Sequence, residues 1–427
     1  MIFLYRLITT LLYPLFIVLI FFRKKFKKEH TTRFKEKIFS SHFQVKRNKI
    51  SKFLWFHAAS IGELKSIFPI IEELNKKNKN LEFLLTTVTL SSENIARDFV
   101  NNNKNVQHRF FPIDINFLIN KFLDSWRPDY IFLVDSEIWP NLIFSAKTRG
   151  VPLALINARI TKKTFNRWKL FPSLAKNIFS KFNLCLSSNQ ETDTHLRQLG
   201  AKNIHYTGNL KLLKNESPVN YNNFNEDLLL KNKFWFALST HEGEEQLCLR
   251  VHLNLKDKFN NIITIIAPRH INRVKKIKDL CDKYNLSAQI IKKDDQILSK
   301  KEIIIINHFG DLDKYLAHAL SVFIGKSTLK ELEKVGGQSP IDAVNLGCKI
   351  YHGPYVYNFK EIYEILRKNN ISKEINCDKE LSEYLKIDLK EKIKDKNKFK
   401  SLMNSLRIKT FNEVMKNLEE FISNEDQ

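Results

Sequence analysis

Residues 53–63 read Phe53-Leu54-Trp55-Phe56-His57-Ala58-Ala59-Ser60-Ile61-Gly62-Glu63. The first four residues form a short, continuously apolar run, as expected of a strand buried on both faces. Ser60 followed three residues later by Glu63 matches a capping box, in which hydroxyl and carboxylate satisfy free amides at a helix start. A strand turning directly into a capped helix opens a βαβ unit. The same alternation continues through candidate strands Phe83 to Thr87, Tyr130 to Val134 and Leu153 to Ile156. This predicts one doubly wound α/β lobe. A polar, Asn-rich stretch from Asn215 to Asn225 then reads as a linker. A second series follows, with strands expected at Phe234 to Leu238, Ile262 to Ala267, Ile303 to Ile306, Val322 to Ile324 and Lys349 to Tyr351, and helices from Lys386 to about Phe421. The fold class is α/β, with two Rossmann-like lobes.

A chain of 427 residues has room for two such cores. The formal net charge of +24 favours an anionic partner: nucleic acid, an anionic lipid surface or a phosphorylated small molecule. No zinc-finger, helix-turn-helix or aromatic-basic RNA pattern accompanies the charge, which argues against nucleic acid. The abundance of Lys and Asn also fits a compositional bias on solvated faces. Five scattered cysteines, Cys185, Cys248, Cys281, Cys348 and Cys377, form no C-x-x-C pair and read as reduced thiols. The histidines at 57, 241, 270 and 352 form no metal-ligand spacing, so no metal is expected.

Ile2 to Phe22 is almost wholly apolar, broken by Arg6, Thr9, Thr10 and Pro14, and is long enough to cross about 30 Å of hydrocarbon. Arg23-Lys24-Lys25-Phe26-Lys27-Lys28 follows directly. By the positive-inside rule this cluster lies in the cytoplasm. The segment is expected to be a membrane anchor, spanning the bilayer or lying in its interface.

Ligands of open α/β sheets bind beyond the strands' carboxyl ends, and the chemistry-bearing residues were sought there. Glu63 has two open roles: helix cap, or general base toward an attacking hydroxyl. Asp135 and Glu137, in Leu133-Val134-Asp135-Ser136-Glu137-Ile138-Trp139-Pro140-Asn141, are either solvated capping groups or carboxylates that orient an acceptor and steady positive charge on a sugar. Arg269, in Pro268-Arg269-His270, is either a surface residue or a planar fork for a phosphate. Val335-Gly336-Gly337-Gln338-Ser339-Pro340-Ile341-Asp342 is either a tight turn or a set of bare amides facing an anion at a helix start.

Taken in order, these segments resemble the 3-deoxy-D-manno-octulosonic acid (Kdo) transferases over nearly the whole chain. The resemblance is carried by the apolar N-terminus, Ser60 to Glu63, Ser136 to Asn141, Asn157-Ala158-Arg159, Gly208-Asn209-Leu210-Lys211, Ser239-Thr240-His241-Glu242-Gly243-Glu244-Glu245, Pro268-Arg269-His270, and Gly353-Pro354 with Asn358-Phe359. It implies the GT-B architecture: an anchor over residues 1–22, an acceptor lobe over 23–212 and a donor lobe over 213–427. It also implies an inverting transferase that moves Kdo from CMP-Kdo to the lipid A precursor (lipid IVA) in lipopolysaccharide synthesis. No metal or cofactor would be needed, and the catalytic lobes would lie on the cytoplasmic side of the inner membrane. Glu63 would be the base, with Asp135 and Lys211 stabilising the transition state. Pro268, Arg269, Gly310, Asp311, Leu312, Ser339, Pro340, Ile341 and Asp342 would surround CMP-Kdo. Ser60, Gly62, Glu137, His241, Glu242, Gly336 and Gly337 would support them.

The chain departs from the family pattern where Asp135, Asp311 and Asp342 replace Glu and Ser339 replaces Asn. The expected Gly-Gly-Ser run appears as Gly325-Lys326-Ser327, followed by a longer Lys330 to Lys334 segment. The competing readings are a GT-B transferase for another nucleotide sugar and a non-catalytic protein binding anionic lipid.

Overall fold

The computed structural model describes residues 2–47, 50–213, 225–308, 310–333, 335–390 and 396–424. Nearly all of the linker stretch, and Lys334, lie outside them. The chain divides into two compact units, Met1–Asn215 with Arg407–Gln427, and Glu216–Leu406.

The first unit holds a parallel sheet of β1 (Lys52–His57), β2 (Leu81–Thr87), β3 (Val106–Phe110), β4 (Tyr130–Val134), β5 (Leu153–Ala158), β6 (Leu184–Ser187) and β7 (Ile204–Tyr206), in the order β3-β2-β1-β4-β5-β6-β7. Alternate side chains of the central strands feed two separate cores. Phe53, Trp55, Ile131, Leu133, Leu153 and Leu155 join one. Leu54, Phe56, Phe132, Val134, Ala154 and Ile156 join the other. Both faces are therefore dry, which is why these strands read as unbroken apolar runs.

The second core also takes Val414, Met415, Leu418 and Phe421 from the helix Lys396–Asn424. That apolar face explains why Arg407–Gln427 belongs to the first unit, whereas the whole of 213–427 was expected in the second lobe. Tyr130 Oη donates to the Ile422 carbonyl at 2.8 Å in the same seam.

The second unit repeats the plan with β8 (Lys233–Thr240), β9 (Ile262–Pro268), β10 (Ala288–Ile291), β11 (Ile303–Ile306), β12 (Ser321–Ile324), β13 (Lys349–His352) and β14 (Ser372–Glu374), all parallel, ordered β10-β11-β9-β8-β12-β13-β14. In each sheet the strand order reverses beside its first strand, at β1/β4 and at β8/β12. Those switch points are where open α/β sheets bind ligands.

The single N-terminal helix expected over Ile2 to Phe22 is instead two helices, Ile2–Leu11 and Tyr13–Lys25, bent by 52°. Pro14 has no N–H to give and its ring crowds the preceding turn, so the helix breaks there. No single described helix is long and apolar enough to cross a membrane, and this pair reaches that length only together. One side of the pair is fastened to the first unit. Tyr5 Oη donates to Asp114 at 3.0 Å, Tyr13 Oη to the Ile38 carbonyl, and Ile20 packs on Phe34 and Ile38. The other side leaves Phe3, Leu4, Leu11, Leu15, Val18 and Phe22 exposed.

Candidate functional site

At the carboxyl end of β1, Ser60 caps the helix Ile61–Lys77 and the capping box is complete. Glu63 Oε2 accepts the Ala59 N–H at 2.9 Å and the Ser60 N–H at 3.4 Å, while Ser60 Oγ donates to Oε1 at 2.6 Å. Burial pushes the Glu63 carboxyl above its ordinary value, and the neighbouring charges of Asp135 and Glu137 push the same way, against the Ser60 and Ala59 hydrogen bonds. The cap and an ionisable group with spare lone pairs are thus one residue.

Asp135, next to this at the end of β4, is buried with φ 64°. Its backbone is held from both sides, by its N–H to the Ile156 carbonyl and by the Arg159 N–H to its own carbonyl. Ser136 Oγ donates to Asp135 Oδ1 at 3.0 Å and Lys211 Nζ reaches Oδ2 at 3.4 Å. Lys211 comes from the short turn Leu210–Leu213, whose start is pinned by Asn157 Oδ1 accepting the Leu210 N–H at 2.9 Å. Gly62 lies beside that lysine, where a Cβ would make an ordinary 3.9 Å contact with Lys211 Cε.

Glu137 accepts from Trp139 Nε1 at 2.9 Å and pairs with His57 Nε2 at 3.1 Å. His57 is buried, its Nδ1 lying 3.0 Å from Thr86 Oγ1, which also accepts Trp55 Nε1–H at 2.8 Å. Nδ1 also lies 3.2 Å from the Thr86 carbonyl, so the ring is fixed between Thr86 and Glu137, and Glu137 is held by the sheet itself. Asp114 completes the frame. It accepts the Asn141 and Leu142 amides at the start of the helix Pro140–Thr148. Burial pushes its carboxyl up to about 6.

The second unit shows a parallel construction. Glu244 and Glu245 open the helix Glu244–Lys256 after Gly243 and are both buried. Glu244 Oε2 accepts the amides of His241 and Lys326, and Oε1 those of Ser327 and Thr328 together with Thr328 Oγ1, all within 3.1 Å. One carboxylate therefore fixes the loops after β8 and β12. Glu245 takes Thr240 Oγ1 at 2.9 Å and the fork of Arg273 at 2.8 and 3.0 Å. Gly325 cannot be replaced here, because a Cβ would fall 2.6 Å from the Ser239 carbonyl.

Glu63, Asp135, Glu137, Lys211, Ser60 and Gly62 therefore meet at one switch point. Pro268, Arg269 and His241 lie at the carboxyl ends of β9 and β8, with the His241 and His270 rings 5.7 Å apart. Burial pushes the His241 imidazole down, and Lys326 and His270 add to this. Gly310, Asp311 and Leu312 follow β11, where exposed Asp311 is engaged by Lys293 at 2.7 Å, which holds its carboxyl low. Gly336, Gly337, Ser339 and Pro340 lead into the five-residue helix Ile341–Asn345, which contains Asp342. Glu242 is the outlier: it is exposed, and its ion pair among the described residues is with Lys276, at 4.0 Å. Among the described residues no group of three His, Cys, Asp or Glu is arranged to hold a metal ion.

The family model described as "3-Deoxy-D-manno-octulosonic-acid transferase (kdotransferase)" matches residues 32–214. A protein of Arabidopsis thaliana named "Probable 3-deoxy-D-manno-octulosonic acid transferase, mitochondrial" is 31% identical over 382 residues, 86% of this chain and 84% of its own. This chain belongs to the Kdo transferase family. A 3-deoxy-D-manno-octulosonic acid transferase of Rickettsia bellii is 29% identical across 94% of this chain and 93% of its own. Membership makes the protein an enzyme of glycosyltransferase type. Among solved structures, the UDP-GlcNAc 2-epimerase of Neisseria meningitidis aligns with a TM-score of 0.55 at 13% identity, covering 86% of this chain and all of that one. This likeness concerns fold alone and agrees with two Rossmann-like units of the GT-B type.

The family motifs gain physical reasons here. Asn157 and Gly208 to Lys211 exist to bring one ammonium to Asp135, and Trp139 steadies Glu137. Sequence reasoning missed Glu244, His57 and Asp114. The adjacent glutamates after Gly243 at a helix start were the available sign of Glu244. Nothing local marked the other two.

Proposed function

We propose that the chain transfers Kdo from CMP-Kdo to a glucosamine hydroxyl of the lipid A precursor, with inversion and without a metal. The observation that carries this is Glu63: a half-buried carboxyl, raised by its surroundings, beside Asp135 and Lys211 at the end of β1. In this reading the Glu63 carboxylate takes the proton of the acceptor hydroxyl, whose oxygen attacks the anomeric carbon of Kdo. The bond to the CMP oxygen breaks on the opposite face, and CMP leaves with its electron pair. In the first unit Lys211 would offset negative charge beside Glu63, and in the second Arg269 and backbone amides would offset that of the phosphate. His57 and Trp139 hold Glu137, and Lys211 steadies Asp135, so this side needs little reorganisation during reaction.

The same reading puts the protein at the inner membrane, facing the cytoplasm. The bent N-terminal pair, fastened to the first unit by Tyr5 and Tyr13, favours a helix pair lying in the interface over a spanning helix. Its exposed Phe, Leu and Val side chains would enter the acyl boundary, with Lys24, Lys25, Lys27 and Lys28 at anionic headgroups.

The test is mass spectrometry of lipid products from detergent-purified protein given CMP-Kdo and lipid IVA, comparing wild type with Glu63→Gln. Added Kdo mass with wild type alone is the expected result. Transfer by both proteins would reduce Glu63 to a helix cap, and no transfer by folded wild type would refute the donor or acceptor.

A further inference from the structure

Lys326 stands in the loop that follows β12, with φ 59°. This left-handed region suits glycine and is costly for a residue with a Cβ. The backbone does not depend on the lysine for its shape. Its N–H is held by Glu244 Oε2 at 2.6 Å, and its carbonyl accepts the Gly337 N–H at 2.6 Å. A glycine would meet both contacts without strain, as the Gly-Gly-Ser pattern of the family would have it. The side chain is thus a cost to this loop that its hydrogen bonds do not require.

Its surroundings say what that use is. Strands β9, β8 and β12 are adjacent, with Leu238 paired to both Ala267 and Ile324. Their carboxyl ends present Arg269, His270, His241 and Lys326 at one edge of the sheet. The His241 imidazole feels the charges of Lys326 and His270. Two nearby carboxylates are already committed, Glu244 to five donors and Glu245 to Thr240 and the Arg273 fork, and the third, Glu242, faces solvent toward Lys276. Among the described residues no carboxylate oxygen lies within 4.0 Å of the Lys326 ammonium or the Arg269 guanidinium. Arg269 and Lys326, on the strand ends either side of β8, with Glu244 and Glu245 turned inward, leave a positive field for an external anion.

We propose that Lys326 is a donor-binding residue, whose ammonium contacts an oxyanion of the nucleotide sugar. The inference rests on the second unit being the donor lobe. Two oxyanions share the required chemistry, the nucleotide phosphate and the sugar carboxylate.

The experiment uses the full chain as wild type, Lys326→Gly and Lys326→Gln. CMP and cytidine are titrated calorimetrically at low and high salt, and KM and kcat are measured for CMP-Kdo. Lys326→Gly is expected to raise Tm by about 2–4 °C through relief of strain. It should weaken CMP about tenfold or more, with a shallower salt dependence and unchanged cytidine binding, if the phosphate is the contact. Unchanged CMP affinity with a KM for CMP-Kdo raised about tenfold would support the proposal with the carboxylate as the contact. Lys326→Gln, which keeps the bulk and loses the charge, should lose the same affinity without the gain in Tm. Wild type and variants that bind CMP and CMP-Kdo alike would overturn the role of Lys326 alone. A folded wild type that binds neither would overturn the donor-lobe reading and this proposal with it.

Discussion

Replacing Glu244 by Gln tests whether one buried carboxylate holds the second unit's site together. Each oxygen accepts at least two donors, Oε2 from two amides and Oε1 from two amides and a hydroxyl. An amide side chain keeps one oxygen and turns an NH2 toward at least two N–H groups that cannot accept. Hydrogen bonds to a charged group are worth roughly 1.5–3 kcal/mol each. Losing two, with their donors left buried, is expected to cost about 4 kcal/mol, or about 8–16 °C in the unfolding midpoint of a unit this size. Hydrogen exchange followed by mass spectrometry localises the effect: the amides of Lys326, Ser327 and Thr328 should lose protection while β1 and β4 keep theirs. Glu242→Gln is the internal control. Its side chain is 75% exposed and meets only an equally exposed Lys276, so its stability should not change measurably. A Glu244→Gln protein within about 0.5 kcal/mol of wild type, with the 326–328 amides still protected, would show that the loops are held by packing rather than by this charge.

Three further outcomes follow from the first unit. If Glu63 is the base it must be ionised to act, so kcat/KM should fall as pH drops through a value above the ordinary carboxylate range, and Glu63→Gln should lose about 10²–10⁴-fold in rate without loss of Tm. Gly62→Ala should be tolerated within a few fold, because its Cβ would make an ordinary 3.9 Å contact with Lys211. Gly62→Leu should push that lysine off Asp135 and cost about 10²-fold in kcat at an unchanged melting point. Asp114 takes up its proton more readily folded than unfolded, having been pushed up to about 6, so its ionisation works against the fold. Wild type should therefore lose about 2.4 kcal/mol relative to Asp114→Asn as pH rises from about 4 to 7, measured by denaturant titration at each pH.

The strands that could be read from sequence are those whose two faces are both buried. β1, β2, β4 and β5 sit inside the first sheet, and β8, β9, β11, β12 and β13 inside the second; each is a run with little polar interruption. Four strands that escaped, β3, β7, β10 and β14, are the edges of the two sheets. An edge strand is covered less completely, and Val106-Gln107-His108-Arg109-Phe110 alternates accordingly. Leu184-Cys185-Leu186-Ser187 is interior but only four residues long, too short to stand out. The same logic applies to the site. The capping box at Glu63 is local and was visible. The grip of Glu244 on residues more than eighty positions away, and of Asp114 on Tyr5, has no local mark. The final helix was legible as a helix, but not as part of the first core, because which core an apolar face covers is decided by tertiary structure.

Occupancy of lone pairs separates the carboxylates that build from those that can react. A carboxylate offers about four acceptor positions. Glu244, with five donors, is saturated, and so can only hold structure. Asp114 has three donors but no route to solvent through its burial. Glu63 also has three, and it is half-buried at a strand end rather than enclosed. Among the described residues Asp135 receives Ser136 and Lys211 alone. The shorter side chain at 135 does not cost this pair its contact, because the left-handed backbone is clamped between Ile156 and Arg159 and still brings Oδ2 to 3.4 Å from the ammonium. The pair is assembled from three separate segments: Ser136 holds Asp135, Asn157 holds the turn at Leu210, and that turn carries Lys211. If Glu63 is the base, Asp135, rather than the saturated Glu244, is the carboxylate through which Lys211 would answer charge at Glu63.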